Sequence, residues 1–356
     1  TLHLRLAEQI DDASRRCRAL GAEAVYGALG GQLSGRALGA LREAQRQASL
    51  AGDDRTLGRL AHYQAMIAYY QGDWQRAFER SVLAERRLVR SRSGTQWEID
   101  NARLYTTAAL QIQGRLASLS RRRERWLEQA KAQRNMFAQT ILRAGPARLV
   151  RLARGEVAAL RDDLREVMSL WPAGELSIPR FWELEALTDL DLYERRGEAA
   201  LARFRALSTR RRAIPLVVQV TRVKLAHAHG RAAIAAAIER PSDERASLEI
   251  AVARAQLLES EGVTWAHALG TLLRAGVAAV RRRHEECHQL LAFAEHQLLD
   301  ADMSLDAWAA RHWLGRLQAG SAGEGLRARS SNWFAARGVR DVQALVEMRA
   351  PGASLY

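Results

Sequence analysis

The stretch RRRHEECHQLL at residues 281–291 contains His284-Glu285-Glu286-Cys287-His288, an H-E-x-x-H spacing. On a helix, residues four apart share a face, so the two imidazoles could hold one zinc ion while Glu285 served as general base. Such a centre needs a third protein ligand and an open position for water. Leu291 and Ala294 stand where the extended pattern has Gly and His, and after Glu295 the next glutamate is Glu324. His296 and His312 are present, but their spacing favours neither as the third ligand. A zinc-dependent hydrolase acting through His284 and His288 is therefore the secondary expectation, and no metal or catalytic residue is assigned.

Other chemistry is missing from the text of the chain. There is no G-x-x-x-x-G-K-[ST] phosphate loop, no G-x-S-x-G elbow and no kinase H-R-D or D-F-G. The carboxylate pairs Asp162-Asp163 and Asp189/Asp191 lie in amphipathic stretches and read as solvated faces. Trp308 and Trp313, near a helix end, read as packing. The expectation is a non-enzymatic protein without a cofactor.

The elements that would carry these residues are helices. The chain has 356 residues, 48% of them hydrophobic, and only 6 prolines, while Ala, Leu, Arg and Glu dominate. Runs of β-branched residues are nearly absent, and IPLVVQVTRV at 214–223 reads as a helix with Pro215 near its first turn. The fold class is all-α. No apolar run reaches the roughly 18 residues of a membrane span, and the N-terminus TLHLRLAEQIDDASRR lacks a secretory leader pattern. The two cysteines, Cys17 and Cys287, make no disulfide framework. A cytoplasmic location fits these features, and the absence of an initiating Met suggests a piece of a longer polypeptide.

The formal charge of +14 raises nucleic-acid binding. The excess is arginine, since Lys131 and Lys224 are the only lysines, and the densest clusters are the triplets 121–123, 210–212 and 281–283. No aromatic residues interleave with them as a base-stacking surface requires. Specific nucleic-acid binding is not expected.

The strongest pattern is a repeat. YYQGDWQRAF at 69–78 reads as a helix, a turn at Gly72 and a second helix carrying Trp74 and Ala77. Similar turns recur at Gly114, Gly155, Gly197 and Gly230, spaced 42, 41, 42 and 33 residues apart, with apolar residues two and five positions after each glycine. A glycine can end a helix in the left-handed conformation, and the +2 and +5 side chains then pack back on the partner helix. One hairpin of about 42 residues cannot bury its own face, so neighbours must stack. On this register Arg282 occupies the glycine place, His284 the +2 place and Cys287 the small, buried +5 place. Each letter of the zinc-like motif thereby has a structural reason.

The G-D-W-x-x-A turn resembles the tetratricopeptide (TPR) class, with a longer period. The resemblance implies a TPR-like superhelical solenoid over residues 1–320, its first repeat degenerate, and a helical cap over 321–356. The C-terminal end also resembles the extreme C-terminus of large bacterial serine/threonine protein kinases that carry an AAA/STAND-type ATPase module. The resemblance lies in LLRAGVAA at 272–279, HEE at 284–286, DADMSL at 300–305, AARHWLG at 309–315 and WFAARGVRD at 333–341 leading to APG at 350–352. It implies a protein- or peptide-binding sensor or scaffold attached to upstream kinase and ATPase modules. A stand-alone adaptor is the alternative. Binding is expected on a concave face built from the first helix of each hairpin, with Tyr63, Gln64, Arg103, Gln111 and Arg222 as candidate contacts.

Overall fold

The computed structural model describes residues 6–7, 9–91, 94–172, 176–207 and 217–356. Among them the chain forms eighteen α-helices and no strand. The arginine triplet 210–212 and the start of the 214–223 stretch, with Pro215, lie outside the described residues. The chain divides into two compact units, one of residues 1–110 with 217–220, the other of residues 111–216 with 221–356.

The first unit holds α1 (Ala13–Tyr26), α2 (Gly35–Ala51), α3 (Asp54–Gln71), α4 (Trp74–Arg90) and most of α5 (Gln96–Ile112). Consecutive helices pack as antiparallel pairs around Ala61, Ala84, Leu88, Ile99 and Ala102. Small residues at the crossings let the helices approach closely, and Tyr63 shows how closely. Its ring lies where a Cβ on Gly21 would stand, 2.1 Å from Cδ2. Neighbouring pairs are tied by contacts about one repeat apart. Ser14 and Thr56 share a hydroxyl hydrogen bond at 2.7 Å, and Arg59 Nε donates to Glu98 Oε1 at 2.8 Å.

The second unit continues with α6 (Leu116–Ala132), α7 (Met136–Arg143), α8 (Leu149–Ala153), α9 (Val157–Met168), α10 (Ile178–Tyr193) and α11 (Gly197–Leu207). It ends with most of α12 (Gln219–Glu239), then α13 (Glu244–Ser260), α14 (Thr264–Val280), α15 (His284–Asp300), α16 (Ser304–Leu317), α17 (Gly320–Ala335) and α18 (Val342–Arg349). Its first helices and second helices differ in burial. Helix α14 is buried along nearly all its length, whereas α15 buries the single stripe Cys287, Leu291, Ala294 and Leu298. The former is an inner helix and the latter an outer one.

The turns explain the repeat better than glycine alone. Helices end on left-handed residues about 20 positions apart, among them Gly52, Gly72, Gly114, Arg134, Gly155, Arg195, Arg282 and Asp302. At seven such turns the next amide reaches back to a carbonyl five residues earlier, as in Asp73 to Ala68 and Arg283 to Ala278, both at 2.9 Å. This closes the last helical turn and satisfies its carbonyl. Arg282, with φ of 57°, does without a glycine what Gly72 does at 81°.

Two of the five expected turn glycines are not turn residues. The left-handed residue before α11 is Arg195, φ 58°, two positions before Gly197. The buried face of α11 is accordingly Gly197, Ala200, Leu201 and Phe204, while Ala199 and Ala202 are exposed. Gly197 is needed for space, because a Cβ there would stand 2.2 Å from the Ala235 carbonyl carbon. Gly230 lies inside the continuous helix α12, where a Cβ would meet Leu273 Cδ1 at 2.4 Å. The Gly/Ser-rich run at 319–325 is likewise helical from Gly320 onward. Gly323 permits a close crossing there, for its Cβ would sit 2.0 Å from the Gln318 carbonyl oxygen. In each case the glycine was selected for its missing side chain and not for its φ.

Candidate functional site: the inner face of the second unit

The inner helices of the second unit carry charges that their burial makes expensive unless paired. Arg148, at the end of a 3₁₀ turn that leads into α8, donates from Nε and Nη2 to Asp189 Oδ2 at 3.2 and 2.7 Å. Arg231 on α12 donates from Nη2 to Asp189 Oδ1 at 2.9 Å. The three residues are 41 and 42 positions apart, so one place in successive repeats carries Arg, Asp and Arg in turn. Burial pushes the Asp189 carboxyl up, but the fields of Arg148, Arg231 and Arg349 outweigh it and hold the group down at about 2.

The ladder has a second row and an occupant. Arg349 of α18 donates from Nε and Nη2 to Asp306 Oδ1 and Oδ2 at 2.8 and 2.9 Å, a bidentate clasp on the first turn of α16. Arg231 uses its remaining Nη1 on the Met348 carbonyl at 2.7 Å. The Arg340 amide donates to the Ala153 carbonyl at 2.8 Å. Helix α18 packs on both α10 and α16, and Leu345, Val346 and Met348 have no exposed surface. Asp341 opens this helix by accepting from the Ala344 amide at 2.8 Å.

Beyond α18 the chain folds into a tight tail. Glu347 accepts from the amides of Gly352 and Ser354 at 2.9 and 2.8 Å. Gly352, with φ of 116°, lies so close to Trp313 that a Cβ would stand 2.9 Å from the indole. The Tyr356 ring ends edge-on to His284, 5.1 Å away. The last eighteen residues therefore lie among inner helices from several repeats.

The zinc-like motif is placed by these contacts. His284 lies against Tyr356, and His288 Nε2 accepts from Gln318 Nε2 at 2.9 Å. Cys287 is fully buried, and burial pushes its thiol up to about 12. Glu285 accepts from Gln289, and Glu286 pairs with Arg283. Among the described residues no three His, Cys, Asp or Glu side chains converge as a metal site.

The five expected partner contacts are divided between the two units. Tyr63 packs on Gly21 with its hydroxyl pushed up to about 12 by burial, and Gln64 is buried. Arg103 Nε donates to Glu85 Oε1 at 2.9 Å. Those three belong to the first unit, while Gln111 and Arg222 belong to the second. Gln111 is buried, and Arg222 clasps Glu261 at 3.0 and 2.8 Å.

The carboxylates read as solvated are a clearer correction. Asp162 is exposed, but Asp163, Asp189 and Asp191 are buried at 7%, 1% and 0% exposure. Asp163 accepts from Arg123, Arg143 and Arg151 at 2.9, 2.7 and 3.1 Å. Asp191 accepts from Arg196 and Arg203. For Asp189 and Asp191 amphipathic spacing cannot show this, because α10 is covered on both faces, whereas Asp163 lies on the single buried stripe of α9 with Leu160, Leu164 and Val167. Arg123 is thereby withdrawn from the basic triplet 121–123, leaving Arg121 on the surface. Of the residues that build the inner face, Asp189 was read as solvated, and Arg148, Arg231, Asp306 and Arg349 escaped the sequence reading. Their only signal is a charge of alternating sign at the repeat spacing.

No helix among the described residues is long and apolar enough to cross a membrane. The sequence matches no protein-family model and no curated protein.

Proposed function

We propose that the chain is a non-catalytic protein- or peptide-binding sensor or scaffold, a TPR-like solenoid working in the cytoplasm as the C-terminal regulatory part of a bacterial signalling kinase/ATPase. The observation that carries the binding reading is the seat of α18. Inner helices of different repeats hold a short helix through a bidentate Arg349–Asp306 clasp, an Arg231 hydrogen bond to its last turn and a buried apolar face. That is the helix-in-groove mode of peptide recognition, performed within one chain. Contacts at separations of 39 to 42 residues, from Arg59–Glu98 to Arg148–Asp189, support the stacking of similar hairpins that a solenoid requires. The attachment to kinase and ATPase modules rests on the resemblance of residues 272–352.

The native transcript tests this reading. A reading frame that runs upstream from Thr1 through an ATPase and then a kinase module is the expected result. A start codon immediately before Thr1 would leave a stand-alone adaptor and remove the kinase-linked part of the proposal.

A further inference from the structure

Two half-buried tryptophans of the last hairpin form the centre of a four-layer stack. Trp308 on α16 and Trp333 near the end of α17 lie ring on ring, with centroids 5.2 Å apart and planes 14° from parallel. The Arg337 guanidinium sits 3.7 Å over Trp333, and that of Arg311 sits 4.4 Å over Trp308. A guanidinium centred that close to Trp333 leaves no room for a second ring on the same face, so Arg337 and Trp308 cover opposite faces of it. The turn after α5 wedges the stack from the side. A Cβ on Gly114 would stand 2.4 Å from Trp333 Cη2, and the neighbouring Gln113 side chain donates to Asp302 Oδ2 at 2.5 Å. The rings thereby hold both guanidiniums flat and in place.

The two ends of the stack differ. Arg311 is neutralised, since its Nε donates to Glu295 Oε1 at 2.6 Å. Arg337 meets no carboxylate among the described residues, and its Nη1 donates only to the Trp333 carbonyl, at 3.0 Å. Asp302 and Asp341, on the adjoining turns, are engaged by Gln113 and by the Ala344 amide. Burial pushes the Arg337 guanidinium below its ordinary range, and no negative charge counters it. Arg337 is thus a planar fork of donors, fixed in direction and partly stripped of water, with no counter-charge among the described residues.

We propose that Arg337, held on Trp333, anchors a docking surface for an acidic segment of another protein, whose carboxylate takes on Arg337 the place that Glu295 takes on Arg311. Charge complementarity selects the ligand, because a planar guanidinium matches a carboxylate through two parallel hydrogen bonds. One ion pair at a half-exposed site is too weak to hold a free anion. The ligand must also cover the exposed edges of the two indoles, as a polypeptide can. A nucleic-acid strand fits less well, because Trp333 has no free face on which a base could stack. This inference rests on the protein-binding reading above and adds a place and a ligand chemistry to it. It is independent of the kinase linkage.

The test titrates the whole chain with a fluorescent peptide of five Glu-Ala repeats and with its Gln-Ala counterpart, at physiological ionic strength. The parent chain should bind the Glu-Ala peptide at least tenfold more tightly than the neutral one. Arg337→Gln should weaken that binding at least fivefold. Arg337→Lys, which keeps the charge but loses the fork and the stack, should weaken it at least threefold, and serves as the second variant if the first does not fold. Arg329→Gln removes the same charge from an exposed arginine of α17 outside the stack, and should change affinity less than twofold. Equal losses from Arg337→Gln and Arg329→Gln would reduce the binding to a general attraction to arginine and overturn the proposal. A parent chain that does not distinguish the two peptides would also overturn it. So would a single-stranded oligonucleotide that displaces the Glu-Ala peptide and is itself weakened fivefold by Arg337→Gln, since the site would then belong to nucleic acid. Each of these outcomes leaves the seat of α18 on the inner face untouched, so the two readings fail separately.

Discussion

Arg349 grips both carboxylate oxygens of Asp306, 43 residues earlier in the chain, in a site where the aspartate has 1% of its side chain exposed. A buried bidentate pair contributes little compared with an apolar pair of the same volume, but losing one partner strands the other charge. Asp306→Ala should therefore lower unfolding free energy by about 3–5 kcal/mol. Asp306→Asn, which keeps the shape and part of the hydrogen bonding, should cost less. Urea unfolding of both variants checks the order, and equal losses would mean that packing, not charge, holds α18.

Glycines that were selected for space should behave differently from those selected for conformation. Gly197→Ala drives a methyl group into the backbone of α12, so a loss of several kcal/mol is expected, near the upper end of overpacking costs of about 1–3 kcal/mol or beyond. Gly230→Ala meets the end of Leu273, a side chain that can turn aside, and the Arg254 Cβ at 3.3 Å, and should lose less, about 1–2 kcal/mol. Gly39 lies inside α2 with nothing within 4 Å of its absent Cβ, and Gly39→Ala should stabilise by about 0.5–1 kcal/mol. Thermal unfolding of the three variants ranks them directly.

The left-handed arginines make the opposite case. Arg195 and Arg282 hold φ of 58° and 57°, a conformation costing an L residue with a side chain roughly 1–2 kcal/mol. Arg282→Gly should raise stability by about 0.5–1 kcal/mol after glycine's larger unfolded-state entropy is subtracted. Gly72→Ala should lower it by a similar amount, as calorimetry of both variants can show.

Those glycines and arginines also show what the sequence could and could not convey. The all-α class was legible because helix formers dominate and strand runs are absent. The repeat was legible where a turn used glycine, at Gly72, Gly114 and Gly155. It was obscured at Arg195, because Schellman-type closure depends on backbone geometry that arginine can be forced to adopt, whereas Arg282 was reached by carrying the register forward. Gly197 and Gly230 misled because a missing Cβ serves close helix crossings as well as turns. Asp189 was misread for a different reason. A single-face pattern identifies an outer helix, whereas α10 is buried around its circumference and its aspartates meet arginines from outside the helix. Neither Arg148 nor Arg349 announces in the local sequence that it will meet a carboxylate some 40 residues away.

The buried histidines set an acid limit. His62 is enclosed by Tyr63, Trp97 and Tyr105, with neither ring nitrogen bonded within the protein, and burial pushes it down to about 4. His227 is pushed well below its ordinary value by burial and then by Arg231 and Arg349. Both stay neutral when folded, but the unfolded chain takes up their protons below about pH 6.5. Stability should thus be complete above pH 6.5 and fall as the pH drops toward 4, by on the order of 1–2 kcal/mol at pH 5 for His62. The depressed carboxyl of Asp189 acts lower, losing its contribution only as the pH falls from its ordinary range toward about 2. His62→Leu should remove part of the loss between pH 6.5 and 4 and leave the lower window unchanged. An unaltered slope in that variant would show that His62 is not buried and neutral.

The H-E-x-x-H spacing gives a last contrast between metal chemistry and helix packing. If His288 serves to receive the Gln318 amide, His288→Ala should cost about 1 kcal/mol or less, and so should Gln318→Ala. The double variant should cost little more than either alone, since both remove one bond. Chelation should leave the unfolding curve of the parent chain unchanged. A centre that held zinc through His284 and His288 would behave otherwise: chelator would lower stability, His284→Ala would abolish that effect, and Gln318→Ala would not. Zinc content measured alongside unfolding separates the two outcomes. Packing predicts no stoichiometric metal and a thermodynamic cycle that closes on Gln318.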